Sequence, residues 1–468
     1  MDGITYDVRI YKTEVYRGKK VTTYYVRWAV GGQQWPRQPF RNAAQADAFR
    51  SELLTAARRG EAFSMATGRP VSWERTDNDM SWYDFCLSFV DMKWKGSSGN
   101  HRSNVAWALV LMTPPMLTTE KGKLDDRDVR VALRRWAFNT KNRDRCPDDA
   151  ARVLAWVARN TRPVSALADP KVTRAVLDAA STRLDGKAAA ASSVLRNRAI
   201  LYNACEYAIE LGILDTNPIK AIKWKAPRAA SEVDRHSVVN HTQARRLLDA
   251  VRSQEPSGPR LVAFFAVIYY AGLRPEEAVS LRRENVVIPP LVWDQDAQTW
   301  DEPADDWGEL RFCSAAPEVG AEWTDDGARR ERRGLKARAE GEWRRAPSPP
   351  PLTKLLRRHL KEFGTGPDGR LFSGVHGGEL ATVTYRRVWD KARRKALTSG
   401  QYASPLAKRV YDLRHACVST WLNGGVPPAQ VAEWAGHSVA VLLRIYAKCI
   451  EGQDEMAKRR IEAALRGG

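Results

Sequence analysis

The sequence predicts a multidomain, mainly α-helical protein with small β-sheets. Its 468 residues are more than one ordinary hydrophobic core organises, so about two to four domains are expected. From about residue 79 onward, apolar residues recur at helical spacing in most segments. The first 40 residues instead combine alternating polarity with β-branched and aromatic residues, which is typical of strands.

The N-terminal 62 residues are expected to form a basic sheet followed by a helix. Gly31 and Gly32 suit a tight hairpin, because both can adopt positive φ angles. Asn42 is a suitable N-cap for a helix over 43–59. A three-stranded sheet can lie in the major groove of DNA, and a solvated sheet face is the plain alternative. The basic side chains of this module are Arg9, Lys12, Arg17, Lys19, Lys20, Arg27 and Arg37.

After a polar linker, the segment 79–222 is expected to be a helical domain. Gly212 suits the end of its last helix. Residues 223–239 are basic and lack periodicity, so an interdomain linker is expected there. The helices predicted from apolar spacing cover 80–94, 102–111, 128–138, 148–161, 170–184 and 188–211.

The segment 240–452 is expected to combine helices with a small sheet, and 453–468 to form a tail helix. Acidic residues without any Lys or Arg fill 291–309, so we expect a loop that points away from DNA or contacts another protein. A strongly apolar core helix is expected over 261–271. Further helices are predicted over 352–363, 381–397, 412–423, 428–435 and 439–446, with strands around 285–288, 310–312 and 344–346.

The composition favours a soluble protein that binds a polyanion. Lys and Arg number 75 against 55 Asp and Glu, which gives a formal charge of +20. A basic surface attracts nucleic acid, because each neutralised phosphate releases counterions. No apolar run approaches the roughly 20 residues of a membrane span, and a signal-peptide pattern is missing, so a cytoplasmic protein is expected. The six scattered cysteines form no C-x-x-C pair, so reduced thiols and no metal or other cofactor are expected.

Side chains suited to phosphate chemistry gather near the C-terminus, within three predicted short helices. Upstream of them, Arg274 follows an apolar predicted helix and Gly272, so it is expected at a helix end. Two arginines suit a phosphodiester whose negative charge has to be held and spread. A phenol beyond them suits an attack that leaves the phosphate attached to protein. The C-terminal group comprises Tyr411, Arg414, His415, His437 and Tyr446.

In the order and spacing of these residues, the chain resembles the tyrosine recombinases, in particular phage or mobile-element integrases of the actinobacterial type. The family's first box, G-x-R-x-x-E with a leucine four residues later, is matched by Gly272, Arg274, Glu277 and Leu281. The resemblance covers about 240–450. More weakly, the helical middle resembles the family's core-binding domain and the N-terminus its arm-binding domain.

The second half of the resemblance contains one departure. The H-x-x-R-H box is matched at Arg414 and His415, but Tyr411 stands in its first position. The family's G-H-S segment lies at 436–438. The tyrosine nine residues after His437 is Tyr446, which has the spacing of the family's nucleophile.

The resemblance implies a role for each of these residues. Tyr446 would attack the scissile phosphate and form a 3′-phosphotyrosyl bond, so rejoining needs no ATP. Arg274 and Arg414 would hold the non-bridging oxygens, because a planar fork makes contacts that a lysine does not. His437 would donate a further hydrogen bond to the phosphate. Glu277 would orient neighbouring groups without touching DNA.

Two assignments depend on further residues. The family protonates the leaving 5′-oxygen with a lysine on a β-hairpin, and Lys336 occupies the matching place, with Lys354 and several nearby arginines as the alternatives. Tyr411 replaces the histidine that accepts the nucleophile's proton, and a neutral phenol is a poor base near pH 7. Either water or a neighbour takes that proton, or little assistance is needed. The resemblance implies a supporting, structural role for His415.

The implied partners are double-stranded DNA attachment sites, held by a homotetramer. An excisionase and a DNA-bending protein are further candidates, and association with the bacterial nucleoid is expected. A type IB topoisomerase shares the phosphotyrosine chemistry but works as a monomer. The separate basic and helical domains favour a recombinase over that enzyme. A third alternative, a non-cleaving DNA-binding protein, is disfavoured because Arg274, Arg414 and Tyr446 are intact.

Overall fold

The computed structural model describes residues 3–18, 21–35, 37–73, 79–122, 124–228, 232–303, 306–336, 338–339 and 341–446, with six further residues inside 458–466. The chain forms two compact units, Met1–Arg228 and Ala229–Gly468, and the division lies inside the predicted linker. About half of the protein is helical and its sheets are small, which confirms the predicted fold class at that level. The predicted tail helix, 453–468, lies mostly outside the described residues.

The N-terminal strands form two three-stranded sheets, in the orders β2–β5–β6 and β3–β4–β7, and the pair β1–β8. One small sheet was expected. The chain leaves the extended ladder at Arg27, so β4 and β5 pair with different neighbours. The elements are β1 (Ile4–Thr5), β2 (Val8–Ile10), β3 (Glu14–Arg17), β4 (Thr22–Val26), β5 (Trp28–Val30), β6 (Gln33–Gln34), β7 (Gln38–Phe40), α1 (Ala43–Arg58) and β8 (Phe63–Ser64).

Local predictions for this module are confirmed. Gly31 and Gly32 have φ angles of 56° and 79°, as a two-residue hairpin between β5 and β6 requires. The Asn42 side chain accepts a hydrogen bond from the backbone N–H of Ala44 and caps α1.

The remainder of the first unit is helical, as predicted. In the helix predicted over 128–138, α4 continues into a π-helical segment, Leu133–Ala137. The helices are α2 (Trp82–Trp94), α3 (Gly99–Met112), α4 (Asp126–Ala132), α5 (Asp148–Arg159), α6 (Pro170–Ser181) and α7 (Ala191–Glu210).

The second unit is built around one apolar helix, α9, which packs against α8, α11 and α14. Phe264 and Phe265 of this helix are fully buried, so the predicted core helix is confirmed. The helices are α8 (His241–Arg252), α9 (Ser257–Tyr270), α10 (Pro275–Ser280), α11 (Pro350–Phe363), α12 (Thr382–Ala396), α13 (Ser399–Ala403), α14 (Asp412–Asn423), α15 (Pro428–Ala435) and α16 (Val439–Tyr446).

The three predicted strands of this unit form one antiparallel sheet, in the order β15–β12–β9. Leu310 at its centre lies opposite Ala346 on one side and Val286 on the other. The strands of the unit are β9 (Val286–Val287), β10 (Val292–Asp294), β11 (Thr299–Asp301), β12 (Gly308–Phe312), β13 (Ser314–Ala315), β14 (Arg333–Gly334) and β15 (Arg344–Ser348).

The acidic stretch is not the irregular loop that its composition predicts. β10 and β11 form an antiparallel hairpin in which Trp293 lies opposite Trp300, with ring centroids 5.4 Å apart. The cross-strand aromatic pair explains why so polar a segment is ordered as strands. Both tryptophans are exposed.

Across the residues that the structure describes, every helix is too short or too polar to cross a membrane.

Candidate active site

Arg274 lies at the start of a short helix, directly after the core helix. Gly272 follows α9 with a φ of 64°, and a Cβ there would lie 3.2 Å from the Trp421 ring. The turn therefore requires glycine both for its backbone and for space. Arg274 then serves as the N-cap residue of α10.

The carboxylate of Glu277 joins guanidinium groups from distant parts of the chain. Arg274 Nη1 donates to Glu277 Oε1 at 2.6 Å. Arg344 donates from Nη1 to Oε1 at 2.8 Å and from Nη2 to Oε2 at 2.6 Å. Arg414 Nη1 lies 4.0 Å from Oε2. One carboxylate thus balances positive charge from three segments.

Glu277 stays ionised although its side chain is only 1% exposed. Burial by itself would raise the pKa of this carboxyl, but Arg344 and Arg274 reverse that effect, and the pKa of Glu277 lies well below its usual range. Breaking such a buried network by removing one partner costs about 3–5 kcal/mol, because the charges left behind are uncompensated. Glu277 therefore acts here as the common counter-ion of these guanidinium groups.

Arg414 is fully buried and its guanidinium is held by backbone and side-chain acceptors. Nη1 donates to the carbonyl of Gly272, and Nη2 donates to the carbonyl of Ala435. Nη2 also lies 2.9 Å from Nε2 of His437. Arg274 Nη2 donates to the neighbouring carbonyl of Gly436 at 3.1 Å. The end of α15 is therefore where both predicted phosphate-binding arginines meet.

His437 presents a hydrogen-bond donor that protein atoms leave unused. Because a guanidinium only donates, Nε2 of His437 accepts from Arg414, and the ring proton belongs on Nδ1. Nδ1 is buried and has no hydrogen-bond partner among the described residues. Burial, followed by Arg414 and Arg274, lowers the pKa of His437 to about 3, so its ring is neutral at physiological pH.

Tyr446 lies at the C-terminal end of α16, and its side chain is 0% exposed. Its hydroxyl lies 2.9 Å from Nδ1 of His415, which belongs to the first turn of α14. The His437 and Tyr446 rings are 6.2 Å apart between centroids. Leu442 packs α16 into a small apolar cluster formed with α14 and α15, which fixes the position of Tyr446.

Tyr411, the departure from the family pattern, packs against the site through its ring. The Tyr411 and His415 rings meet edge to face, 5.0 Å apart between centroids. The guanidinium of Arg414 lies 5.9 Å from the Tyr411 ring centroid. Within the described part of the chain, the Tyr411 hydroxyl forms no hydrogen bond.

Lys336 stays outside this cluster. It is exposed, and no hydrogen bond or ion pair joins it to a residue that the structure describes. Its neighbour Leu335 is buried in the core of the unit. The alternative, Lys354, forms an ion pair with Glu302 at 3.4 Å.

The hairpin that precedes Lys336 is nevertheless fixed to the arginine-bearing helix. The backbone N–H of Ala316 donates to the carbonyl of Glu276 at 2.9 Å. The Ser280 hydroxyl donates to the carbonyl of Ser314 at 2.8 Å. β13, β14 and α10 therefore form one local assembly, and Lys336 follows Gly334, the last residue of β14, by two positions.

Arg344 is the site residue that the sequence analysis missed. It is 1% exposed and lies on the same face of β15 as the buried Ala346, whereas Arg345 between them is exposed. Its guanidinium also lies over the Phe312 ring, 4.5 Å from the centroid. An arginine at an inward-facing strand position was the available signal, because a buried charge requires a partner.

Comparisons with known proteins give one sequence relative and several solved structures. No protein-family model matches the chain. A curated protein of Sinorhizobium fredii that carries the name integrase/recombinase y4rC is 30% identical over 105 residues, which is 22% of this chain and 32% of that protein. The chain thus aligns with about a third of the length of that relative.

The Tn1549 transposon integrase in complex with circular intermediate DNA has a TM-score of 0.45 at 13% identity, covering 72% of this chain and 99% of that one. XerH site-specific recombinase bound to difH has a TM-score of 0.43 at 12% identity, covering 81% of this chain and 94% of that one. Lambda integrase bound to DNA has a TM-score of 0.42 at 13% identity, covering 78% of this chain and 94% of that one.

The sequence relative carries the name integrase/recombinase, which agrees with the resemblance of this chain to that class of protein.

Proposed function

We propose that the protein is a tyrosine-type site-specific recombinase that integrates or excises a mobile DNA element. The observation that carries the proposal is the convergence of Arg274, Arg414 and His437 beside the hydroxyl of Tyr446. The two guanidinium groups and the free Nδ1–H of His437 are donors suited to a phosphate. The formal charge of +20 supports DNA as the substrate.

In the proposed reaction the hydroxyl oxygen of Tyr446 attacks the scissile phosphate. An O–P bond to tyrosine forms and the bond from phosphorus to the 5′-oxygen breaks, which leaves a 3′-phosphotyrosyl link and a 5′-hydroxyl. Arg274 and Arg414 stabilise the charge on the non-bridging oxygens in the transition state. Lys336 supplies the proton to the leaving oxygen.

Phosphate binding has to change the contacts described above. The guanidinium groups of Arg274 and Arg414 are bonded to Glu277 and to backbone carbonyls, and Tyr446 is fully buried. DNA therefore has to compete with those carbonyls for the arginine donors. It also has to shift the end of α16, so that the phenol reaches the phosphorus.

The finer organisation belongs to the same proposal. The module 1–62 binds arm-type DNA sites, the helical segment 79–222 binds the core site, and 240–452 carries the chemistry. Four protomers hold two attachment sites and exchange strands in two steps. An excisionase and a DNA-bending protein are the candidate accessory partners.

A nicked duplex tests the chemistry. Cleavage near the nick releases a short fragment that carries the 5′-hydroxyl, so the strand cannot be rejoined and the covalent adduct is trapped. The probe is a duplex spanning the junction between the element that carries the gene and its flanking DNA. We expect the wild-type protein to form an adduct that survives denaturing electrophoresis. Tyr446→Phe removes the nucleophilic oxygen and should abolish that adduct.

Tyr402→Phe is the matched control. It removes the same atom from a tyrosine whose hydroxyl donates to Asp390, away from the site, and it should react as wild type does. A wild-type protein that binds the junction DNA without forming any adduct would identify a non-cleaving DNA-binding protein. An adduct formed equally on unrelated duplexes would indicate a topoisomerase.

A further inference from the structure

The hydroxyl of Tyr446 faces an imidazole that the family pattern treats as structural. His415 Nδ1 and Tyr446 Oη are 2.9 Å apart, and their ring centroids are 5.6 Å apart. The contact joins residues 31 positions apart in sequence, so it depends on the packing of α16 against α14. A ring nitrogen at this distance can accept the phenolic proton directly.

The other neighbours are less suited to that task. Tyr411 offers a phenol, and a neutral phenol is a poor base. It contacts His415 through its ring and forms no hydrogen bond with a described residue. Nε2 of His437 already accepts from Arg414, so His437 presents a donor and no free lone pair.

Its surroundings keep the His415 ring neutral. Burial is the larger effect. Together with the positive charges of Arg409 and Arg414, it lowers the pKa of His415 to about 4. The ring therefore has a lone pair available before DNA arrives. A bound phosphate brings negative charge to the site, which favours protonated imidazole as the phenol loses its proton.

We propose that His415 is the general base of strand cleavage in this protein, in the place of the histidine that Tyr411 replaces. This inference rests on the proposed function. As the O–P bond to Tyr446 forms, the phenolic proton moves to Nδ1 of His415. As the bond from phosphorus to the 5′-oxygen breaks, that oxygen takes a proton from Lys336. In rejoining, the 5′-hydroxyl attacks phosphorus and gives its proton back to Lys336, while the O–P bond to Tyr446 breaks and the proton on His415 returns to the departing phenolate.

The deciding experiment compares two leaving groups on the nicked junction duplex. A 5′-bridging sulfur leaves as a thiolate and needs no proton, so it bypasses the general acid but not the base. We expect His415→Ala to slow adduct formation by about 10²- to 10⁴-fold on both the oxygen and the sulfur substrate. Lys336→Ala should form the adduct more slowly than wild type on the oxygen substrate and at the wild-type rate on the sulfur substrate. Added imidazole should restore part of the rate of His415→Ala.

Each contrary result has a separate meaning. A wild-type rate of adduct formation by His415→Ala overturns the proposal. Recovery of that variant's rate on the sulfur substrate also overturns it, because His415 would then protonate the leaving group. His376→Ala, at an exposed turn, is the matched control and should keep the wild-type rate. Loss of all adduct in the wild-type protein instead overturns the proposed function.

A second measurement needs neither DNA nor a variant of His415. The chain has only seven histidines, so ¹⁵N-labelled imidazoles can be resolved and assigned by NMR. We expect Nδ1 of His415 to be unprotonated at neutral pH, with its shift changed in Tyr446→Phe. A proton on Nδ1, donated toward the phenol, would overturn the proposal even if the protein cleaves DNA.

Discussion

Two partly buried imidazoles make the folded protein sensitive to mild acid. The pKa values of His415 and His437 are lowered, chiefly by burial, to about 4 and about 3. An unfolded chain titrates its histidines near pH 6.5, so it takes up protons that the folded protein does not bind. Stability should therefore fall as the pH decreases from about 6.5 toward about 4, where His415 is protonated in the folded state as well.

Urea unfolding at about pH 7 and about pH 5 measures this loss. His415→Asn removes one of the two groups and should reduce the difference between the two conditions. The exposed His376, replaced in the same way, should leave the difference unchanged. If the wild type and His415→Asn lose equal stability between the two pH values, the fold does not hold His415 neutral.

At the level of single residues, the motifs predicted which side chains gather but not how they are connected. Arg274, Arg414, His437 and Tyr446 come together as their spacing implies. The shared contacts with Arg344 could not be predicted, because they depend on β15 meeting α10. Sequence alone also does not show on which side of an imidazole a phenol lies.

At the level of elements, the left-handed end of α15 controls the space around the arginines. Gly436 has a φ of 64°, and a Cβ on it would lie 2.6 Å from Nη1 of Arg344. Gly436→Ala therefore adds a clash with Arg344 to the backbone strain of about 1 kcal/mol. We expect lower stability and slower adduct formation on the nicked duplex.

Gly212 offers a matched comparison for that substitution. It follows α7 with a φ of 73°, its helix end has the same hydrogen bonds as that at Gly436, and a Cβ there meets nothing within 4 Å. Gly212→Ala should carry the backbone strain alone and keep the wild-type rate of adduct formation. Equal losses in the two variants, by urea unfolding and by the adduct assay, would rule out a steric role for Arg344.

Helices were predicted correctly where apolar residues recur at one regular spacing. Strands were missed where their order depends on the partner strand. The helices over 412–423 and 428–435 begin and end where the sequence predicts, and the next helix begins at Val439 as predicted. The acidic hairpin was missed because its strands are short and polar, and its order comes from the contact of Trp293 with Trp300. The two N-terminal sheets were missed because β2 pairs with β5 and β4 pairs with β7, and such non-local partners are not visible in the local pattern.

At the level of the whole molecule, the charge of +20 predicts a strong dependence of DNA binding on salt. Contacts with about 6–10 phosphates would lower the affinity by about 10³- to 10⁵-fold between about 50 and 200 mM salt. Fluorescence anisotropy with a labelled duplex measures the slope. A flat salt dependence would contradict a phosphate-dominated interface.

The acidic hairpin provides the control for that measurement. If β10 and β11 point away from DNA, replacing Asp294 and Asp296 with Asn should leave both affinity and slope unchanged. A clear gain in affinity would place the hairpin beside the phosphate backbone.

The shared carboxylate of Glu277 also has a consequence for how the protein is made. Its partner Arg344 lies 67 positions along the chain, and Arg274 meets the carbonyl of Gly436 across 162 positions. Contacts of such separation form late, because long loops close only after the intervening chain has been synthesised and packed. A nascent or partly folded chain therefore lacks the arrangement that holds a phosphate, and we expect it to be unable to break DNA before its fold is complete.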